Sequence, residues 1–559
     1  MALNKAILLE QLRKAREAAL ASQEKILAPI KAACPGEHEV PKYFTSAGYP
    51  LNEEQCLAVK YAEDGNSFCL IGPAGSGKTT TLTEVVAKCI ESIGRENLRY
   101  NSIAIVAFTR RAVANVTRAM EKINAKQFCR TAHKFLEYAP ERTEYQTKTG
   151  EWKTGMRFMP RRHELNPHRE TKIVIIEEAS QIGYGELYKE LRLACPNATF
   201  IFVGDLNQLK PVFGDSVLGF KLAQIPVVEL TQIYRQAMDS PIVAFQHNYT
   251  LKGRYPSTAD LDAISAGGKL TFRHIAKGAE PEEIAHRIWL KVIKPQIESG
   301  AFDPETDIVL CPNNNRCGQT EFNNYIADYL SKKNNELVYE VFAGINVCYL
   351  AVGDNIQVDK RDAKIVGIRP NENYGGKLPR KPSVLLDRWG QMPLLESDTE
   401  DHQTSAEDSK EKALEEYFIY TQSSEEDTSK LPASHALTIV WADDMECAEV
   451  ELSTRGELSK ITFNYAMTIH KAQGCEWRKV ILILPPHSLR GPILCRELLY
   501  TGMTRAREYL DVLYVKNSAP GKHDGSLDAC IARQSLPGKT WQEKAKHFEV
   551  KLDNLEWRD

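Results

Sequence analysis

Eight residues constrain this chain more than any others. Gly72-Pro73-Ala74-Gly75-Ser76-Gly77-Lys78-Thr79 fit the spacing G-x-x-x-x-G-K-[ST], a phosphate-binding loop whose context is a buried strand before it and a helix opening after it. Both signals are present: residues 67–71 form a short apolar run, and a helical pattern follows the loop. Glycines let successive backbone N–H groups turn inward on an anion, and the helix N-terminus adds partial positive charge. Lys78 can reach the outer phosphates, and Thr79, with Thr80 beside it, offers a hydroxyl to Mg²⁺. The pattern therefore predicts an α/β protein that takes ATP and Mg²⁺.

The same strand–loop–helix texture recurs at 103–108, 173–176 and 199–203, the sequence form of a parallel sheet covered by helices. A second series at 307–311, 480–484 and 510–515 implies another α/β unit. Between 352 and 459 the texture changes to strand-like pieces at 355–358, 383–386, 437–441 and 448–452, broken by Gly, Pro and an acidic run over 396–430. That run reads as a solvated loop. At 559 residues the chain exceeds one ordinary core. The expected division is a helical extension over 1–48, with a helix at 8–27, then α/β units over 49–238 and 239–520. The second unit carries the β-rich insertion at about 352–459, and a tail covers 521–559.

Composition narrows the function classes. With 71 basic and 74 acidic residues the net charge is −3, so the chain does not coat nucleic acid through overall positive charge, and any such contact is local. No apolar window approaches the ~18 residues a membrane helix needs, which argues against a membrane role. Thirteen cysteines without CxxC spacing point to a reduced chain, and the N-terminus lacks the apolar core of a secretory signal, so the chain is expected to stay where it is made.

What the nucleotide drives depends on a second site. The apolar run 173–176 ends in Glu177-Glu178, one carboxylate placed to hold the metal and the next to polarise the attacking water. The first acid is Glu where Asp is usual. With these in place a resemblance becomes specific. Leu51-Asn52-x-x-Gln55 resembles the Q motif of superfamily 1 helicases; Ala107 to Ala112, with Thr109 and Arg110, resembles motif Ia; Thr131-Ala132-His133 resembles motif Ib. Glu177-Glu178-Ala179-Ser180 is similar to motif II, Gly204 to Val212 to motif III, and Tyr234-Arg235-Gln236 to motif IV. Thr468 to Glu476 resembles motif V, and Leu499 to Arg507 resembles motif VI. The match runs in family order from about Leu51 to Val515.

The resemblance implies two RecA-like P-loop domains, with a β-hairpin insertion in the first and an SH3-like insertion in the second. ATP would lie between them. The first domain supplies Gln55, Lys78, Thr79, Glu177, Glu178, Gln208 and Arg235; the second brings Arg505 as an arginine finger, with Gly474 and Glu476. Glu177 and Thr79 would hold the metal. DNA would cross both domains over Thr109, Arg110, His133, Pro211, Phe213, Thr468, His470 and Lys471, although His133 also suits a core. Motif V, the short spacing after Thr131 and the β-like insert resemble the RecD/Dda branch, which moves 5′ to 3′; 462–515 most resembles the Dda helicase of T-even phages. A hairpin over 144–162, within an insertion at about 137–170, would then carry a strand-splitting pin, with Phe158 the first candidate and Trp152 its rival. Nearby Lys153, Arg157, Arg161, Arg162 and Arg169 supply local positive charge.

The implied partners are single-stranded and forked duplex DNA, with a single-strand-binding or replisome protein as a further partner, in a bacterial or phage-infected cytoplasm. Two other readings stay open: a RecD-like motor subunit of a recombination nuclease complex, and a non-hydrolysing P-loop protein that binds nucleic acid.

Overall fold

The structure, a computed structural model, describes residues 42–552 apart from 147–151, 161–167, 212–213, 235–238, 276–279, 344–345, 360, 377–427, 443–447, 487–493, 520, 537 and 539. The helix expected at 8–27, the strand at 383–386 and nearly all of the acidic run lie outside the described residues.

The first half contributes β1 (Phe68–Ile71), β2 (Ile103–Ala107), β3 (Cys129–Thr131), a hairpin of β4 (Ala139–Gln146) and β5 (Trp152–Met159), then β6 (Ile173–Ile176), β7 (Thr199–Gly204) and β8 (Val227–Glu229). All except the hairpin form one sheet in the order β3-β2-β6-β7-β1-β8, parallel throughout. Strands covered on both faces read as continuous apolar runs, and β1 and β2 are buried at every residue. Successive side chains point to opposite faces. Ile103 and Ile105 join Leu82, Val85 and Val116 on one side, while Ala104 and Val106 join Phe135 and Leu191 on the other.

Three helices frame the sheet's carboxyl edge. α1 (Glu53–Glu63) begins in a capping box between Asn52 and Gln55. α2 (Lys78–Ile93) begins after Gly77 at φ +84°, and α3 (Arg110–Glu121) is capped by the Thr109 hydroxyl. The antiparallel hairpin starts at Ala139, five residues before the expected Glu144, and pairs Ala139 with Met159 at one end and Gln146 with Trp152 at the other.

The second half contributes β9 (Leu270–His274), β10 (Ile308–Cys311), β11 (Val338–Ala343), β12 (Asn346–Ala351), β13 (Asn355–Val358), β14 (Arg361–Pro370), β15 (Pro432–Trp441), β16 (Glu449–Thr454), β17 (Ile461–Phe463), β18 (Ala466–Thr468), β19 (Trp477–Leu484) and β20 (Ala506–Tyr514). A second parallel sheet has the order β18-β10-β19-β20-β9. Strands β13 to β17 form a separate antiparallel sheet, ordered β16-β15-β14-β13-β17. Its apolar core also takes Val341, Ala343 and Leu350 from the β11–β12 hairpin, so this β-rich unit starts before residue 352.

α4 (Arg496–Met503) packs against the second sheet, and α5 (Trp541–Leu552) returns to the first unit. The segment read as a tail is therefore part of both cores: Leu527, Cys530 and Ile531 sit in the second, Ala545 and Phe548 in the first. The reason is an apolar stripe at helical spacing, Trp541, Ala545, Phe548 and Leu552, which buries against the first unit. No described helix is long and apolar enough to cross a membrane.

Candidate nucleotide and DNA site

Strand order builds the site. β6, β7 and β1 are neighbours, so their carboxyl ends bring Glu177–Glu178, Asp205 and Gly72 to one edge, where open parallel sheets place their ligands. Within the loop, Gly75 and Gly77 have φ of +81° and +84°, which glycine adopts without steric cost. A Cβ at Gly72 would stand 2.5 Å from Ser76 Oγ and 3.0 Å from the Leu230 carbonyl oxygen. Lys78 Nζ donates to the carbonyls of Gly72 (2.7 Å) and Pro73 (2.9 Å), holding the ammonium across the loop. Thr79 and Thr80 are exposed on the first turn of α2.

Gln55 is buried, and its Oε1 accepts the Asn52 N–H at 3.1 Å. Its Nε2 and the Tyr234 ring both crowd Gly77: a Cβ there would lie 3.1 Å from the amide and 2.8 Å from the ring. Tyr234 is 40% exposed and donates its N–H to the Gly75 carbonyl at 3.3 Å. A flat aromatic face thus stands beside the phosphate loop and next to Gln55, a role that sequence reading did not assign to Tyr234. Arg235 and Phe213 lie outside the described residues.

Burial, then the neighbouring Glu178, pushes the Glu177 carboxyl up to about 8, against the opposing pull of Lys78. Its Oε2 is buried and has no protein partner. Burial also raises Glu178, with Arg505 and Lys78 holding it down. Glu178 sits at φ +52°, a left-handed conformation that costs a non-glycine residue roughly 1–3 kcal/mol. An orphaned buried carboxylate oxygen facing a lysine, with a threonine hydroxyl at the head of α2, fits a Mg²⁺–nucleotide, which would satisfy that oxygen. Gln208 Oε1 is likewise buried without a protein partner.

The second unit closes the site. Arg505, 5% exposed, is held by Cys475 O (Nη1, 3.0 Å), Thr501 O (Nε, 3.0 Å) and Thr504 Oγ1 (Nη2, 2.8 Å), near enough to Glu178 to lower its carboxyl. The Tyr500 hydroxyl donates to Asp205 Oδ2 (2.7 Å) and accepts the Ala74 N–H (2.8 Å). Thr501 Oγ1 accepts the Leu209 N–H (2.9 Å), while Gln473 Nε2 donates to the Leu209 carbonyl (2.8 Å). Tyr500, Thr501, Gln473 and Asp205 lie inside the quoted motifs, yet their roles depend on contacts between units and carry no local signal. Gly474, at φ +74°, faces α3: a Cβ would stand 3.1 Å from Thr109 Oγ1, and its carbonyl accepts from Asn115 Nδ2 at 3.0 Å. Glu476 is exposed and pairs with Arg507 at 3.0 Å.

Of the residues expected along DNA, Thr109 caps α3 and Arg110 beside it is exposed. His133 lies between the Phe108 and Tyr138 rings, at 5.7 and 5.0 Å. Phe108 is 39% exposed and was not singled out from sequence. Thr468 is buried, and its hydroxyl accepts the Lys471 N–H at 3.4 Å. Burial holds His470 below the usual histidine range; Lys471 is exposed and Pro211 half-buried. In the hairpin backbone Phe158 pairs with Pro140 and Trp152 with Gln146.

Comparison with known proteins places these motifs in company. The AAA domain family matches residues 55–214, and the UvrD-like helicase C-terminal domain family matches 463–513. The chain is 27% identical over 482 residues to the ATP-dependent RecD2 DNA helicase of Deinococcus radiodurans, covering 86% of this chain and 51% of that protein. It is 22% identical over 510 residues to the RecBCD enzyme subunit RecD of Mycolicibacterium smegmatis, covering 87% and 73%. The chain thus spans about half the length of the RecD2 protein. Among solved structures, the Pif1 helicase from Bacteroides in complex with ADP-AlF3 and ssDNA aligns over 90% of this chain and 98% of that one, at 15% identity and a TM-score of 0.45. With a phosphate loop on one of its two parallel-sheet units and the matched helicase C-terminal segment on the other, the chain is similar to superfamily 1 helicases of the RecD type.

Proposed function

We propose that the chain hydrolyses ATP to move along single-stranded DNA and separate duplexes, in the 5′ to 3′ direction. One observation carries the reading: Glu178, beside Lys78 and Glu177 on the first unit, also feels the charge of Arg505 on the second, so the charges needed for hydrolysis are complete only when both units meet. Gln55 and Tyr234 would take the adenine, one by hydrogen bonding and one by stacking. Lys78 and Arg505 would balance the charge on the γ-phosphate oxygens, the guanidinium through its planar fork. Glu178, raised by burial, would orient the attacking water and accept its proton as the bond to the ADP oxygen breaks. Glu177 and Thr79 would hold Mg²⁺, which when bound neutralises charge on the outer phosphates. Loss of the γ-phosphate would then relax the cleft and alternate the grip on DNA.

Thr109, Arg110, His133, His470 and Lys471 would hold the strand through phosphates, with Phe108 a candidate for stacking. The 5′ to 3′ direction is supported by the resemblance to the RecD/Dda branch, including that of 462–515 to Dda. A cytoplasmic setting and a replisome or single-strand-binding partner belong to the same reading. The RecD match favours a second one, a motor subunit serving a nuclease complex. Unwinding of matched duplexes bearing a 5′ or a 3′ single-stranded tail tests the proposal, with Lys78→Ala as the control. Unwinding of only the 5′-tailed substrate, lost in the variant, is the expected result. ATP-dependent unwinding from the 3′ tail overturns the direction, and no unwinding of either favours a motor that needs its complex.

A further inference from the structure

Tyr500 is fully buried in α4, and its hydroxyl joins two elements of the opposite unit, the Ala74 N–H of the phosphate loop and the Asp205 carboxylate. We propose that Tyr500 is a positioning residue that couples the DNA-facing loop 468–473 to the phosphate loop. The inference rests on the chain being a DNA-stimulated ATPase.

The contacts form a continuous path. Loop 468–473 carries Thr468, His470 and Lys471 at one end and Gln473 at the other. Gln473 holds the Leu209 carbonyl, and Thr501 holds the Leu209 N–H. Thr501 follows Tyr500 in one rigid helix. Tyr500 then holds Asp205, the other end of the same 205–209 segment, and Ala74. Segment 205–209 is therefore gripped at both ends by the second unit. A shift of the DNA-facing loop reaches the phosphate loop through three hydrogen bonds, Gln473 to Leu209, Leu209 to Thr501 and Ala74 to Tyr500, and one residue step along a helix, without a side chain having to swing.

Chemistry favours a tyrosine here. Burial and the charge of Asp205 push the phenol well above its ordinary range, so it stays neutral, donating to the carboxylate while its lone pair receives the amide. Phenylalanine fills the same space but can do neither, leaving Ala74 N–H and one carboxylate oxygen without that partner.

The test compares Tyr500→Phe with the parent in ATP turnover with and without saturating single-stranded DNA, alongside DNA affinity and melting temperature. The ratio of DNA-saturated to DNA-free turnover should fall roughly five- to tenfold, as expected of a lost coupling interaction, with DNA affinity near parental and a melting temperature lowered only modestly by the two unpartnered groups. A residue that only packs would leave the ratio parental. Gln473→Ala should lower the same ratio, and the double variant should fall no further than the worse single one. Additive losses, or an unchanged ratio in Tyr500→Phe, overturn the coupling. If the parent itself shows no stimulation by DNA, the motor reading fails instead, and with it the basis of this one.

Discussion

Glu177 carries an electrostatic cost in the nucleotide site, because its carboxyl is buried beside Glu178. A carboxyl raised on folding from its ordinary value to about 8 supports the folded state below about pH 4.5 and withdraws that support as pH rises through about 8, because the folded form binds the proton more tightly. Without nucleotide or metal, the parent's melting temperature should therefore carry a downward component between about pH 5 and 8 that Glu177→Gln removes. Parallel melting curves for the two proteins would show that the carboxyl is already ionised. Arg505 has the converse task, since its charge is fixed and its partners within the second unit keep it aimed at the site. Arg505→Ala should lower the ATP turnover number by on the order of 10³-fold while nucleotide affinity changes little, because a finger acts mainly on transition-state charge. An unchanged turnover number with a raised KM would assign Arg505 to binding instead. Lys78, Glu178 and Arg505 were legible from sequence because each sits in a short local pattern with fixed chemistry. Asp205 and Tyr500 were not, because their bond joins residues 295 positions apart, and only the packing of the two units creates it.

At the scale of elements, the hairpin turns a choice of residue into a choice of position. Trp152 pairs with Gln146 at one end of the paired strands, whereas Phe158 pairs with Pro140 one step from the other. Six residues along a strand is ~20 Å, so the two aromatics cannot serve one fork junction together. Phe158 lies at the hairpin's junction with the first unit, and a rigid aromatic there can stack on the last base pair and resist its closure. Phe158→Ala should lower the ratio of unwinding rate to ATP turnover roughly tenfold, since stacking is worth ~1–3 kcal/mol per base, and Trp152→Ala should leave it near parental. The reverse pattern would move the pin to Trp152, and parental ratios in both would remove the wedge altogether. Elements differed in how far sequence revealed them. The parallel strands stood out because burial on both faces leaves unbroken apolar runs. α5 escaped, although Trp541, Ala545, Phe548 and Leu552 mark one helical face, because nothing local says what such a face will cover. α3 shows the same limit: Arg111 pairs with Asp362 of the β-rich insertion and lies 5.3 Å from the Trp477 ring centroid, fastening three separately read elements together.

The whole molecule is slightly acidic, at −3, so the proposed hold on DNA would have to come from a few placed charges, and that makes it countable. Releasing condensed counterions gives a plot of log affinity against log salt with a slope of about −0.7 per phosphate neutralised on a single strand. Arg110 and Lys471 are exposed at the two ends of the expected track, one on each unit. Each should account for about one phosphate, so Arg110→Ala and Lys471→Ala should each flatten the slope by about 0.7. His470 supplies an internal control. Burial keeps its imidazole below the usual range, so at pH 7 it offers hydrogen bonds without charge, and His470→Ala should weaken binding while leaving the slope alone. Phosphate contacts and stacking carry no base code; homopolymers should therefore bind within a few-fold of one another at any one salt concentration. The measurement is a salt titration of single-strand affinity for parent and the three variants. A slope unmoved by either cationic substitution would place the track elsewhere. A preferred sequence bound many-fold tighter would mean that base edges are being read, which a motor stepping along any strand cannot use.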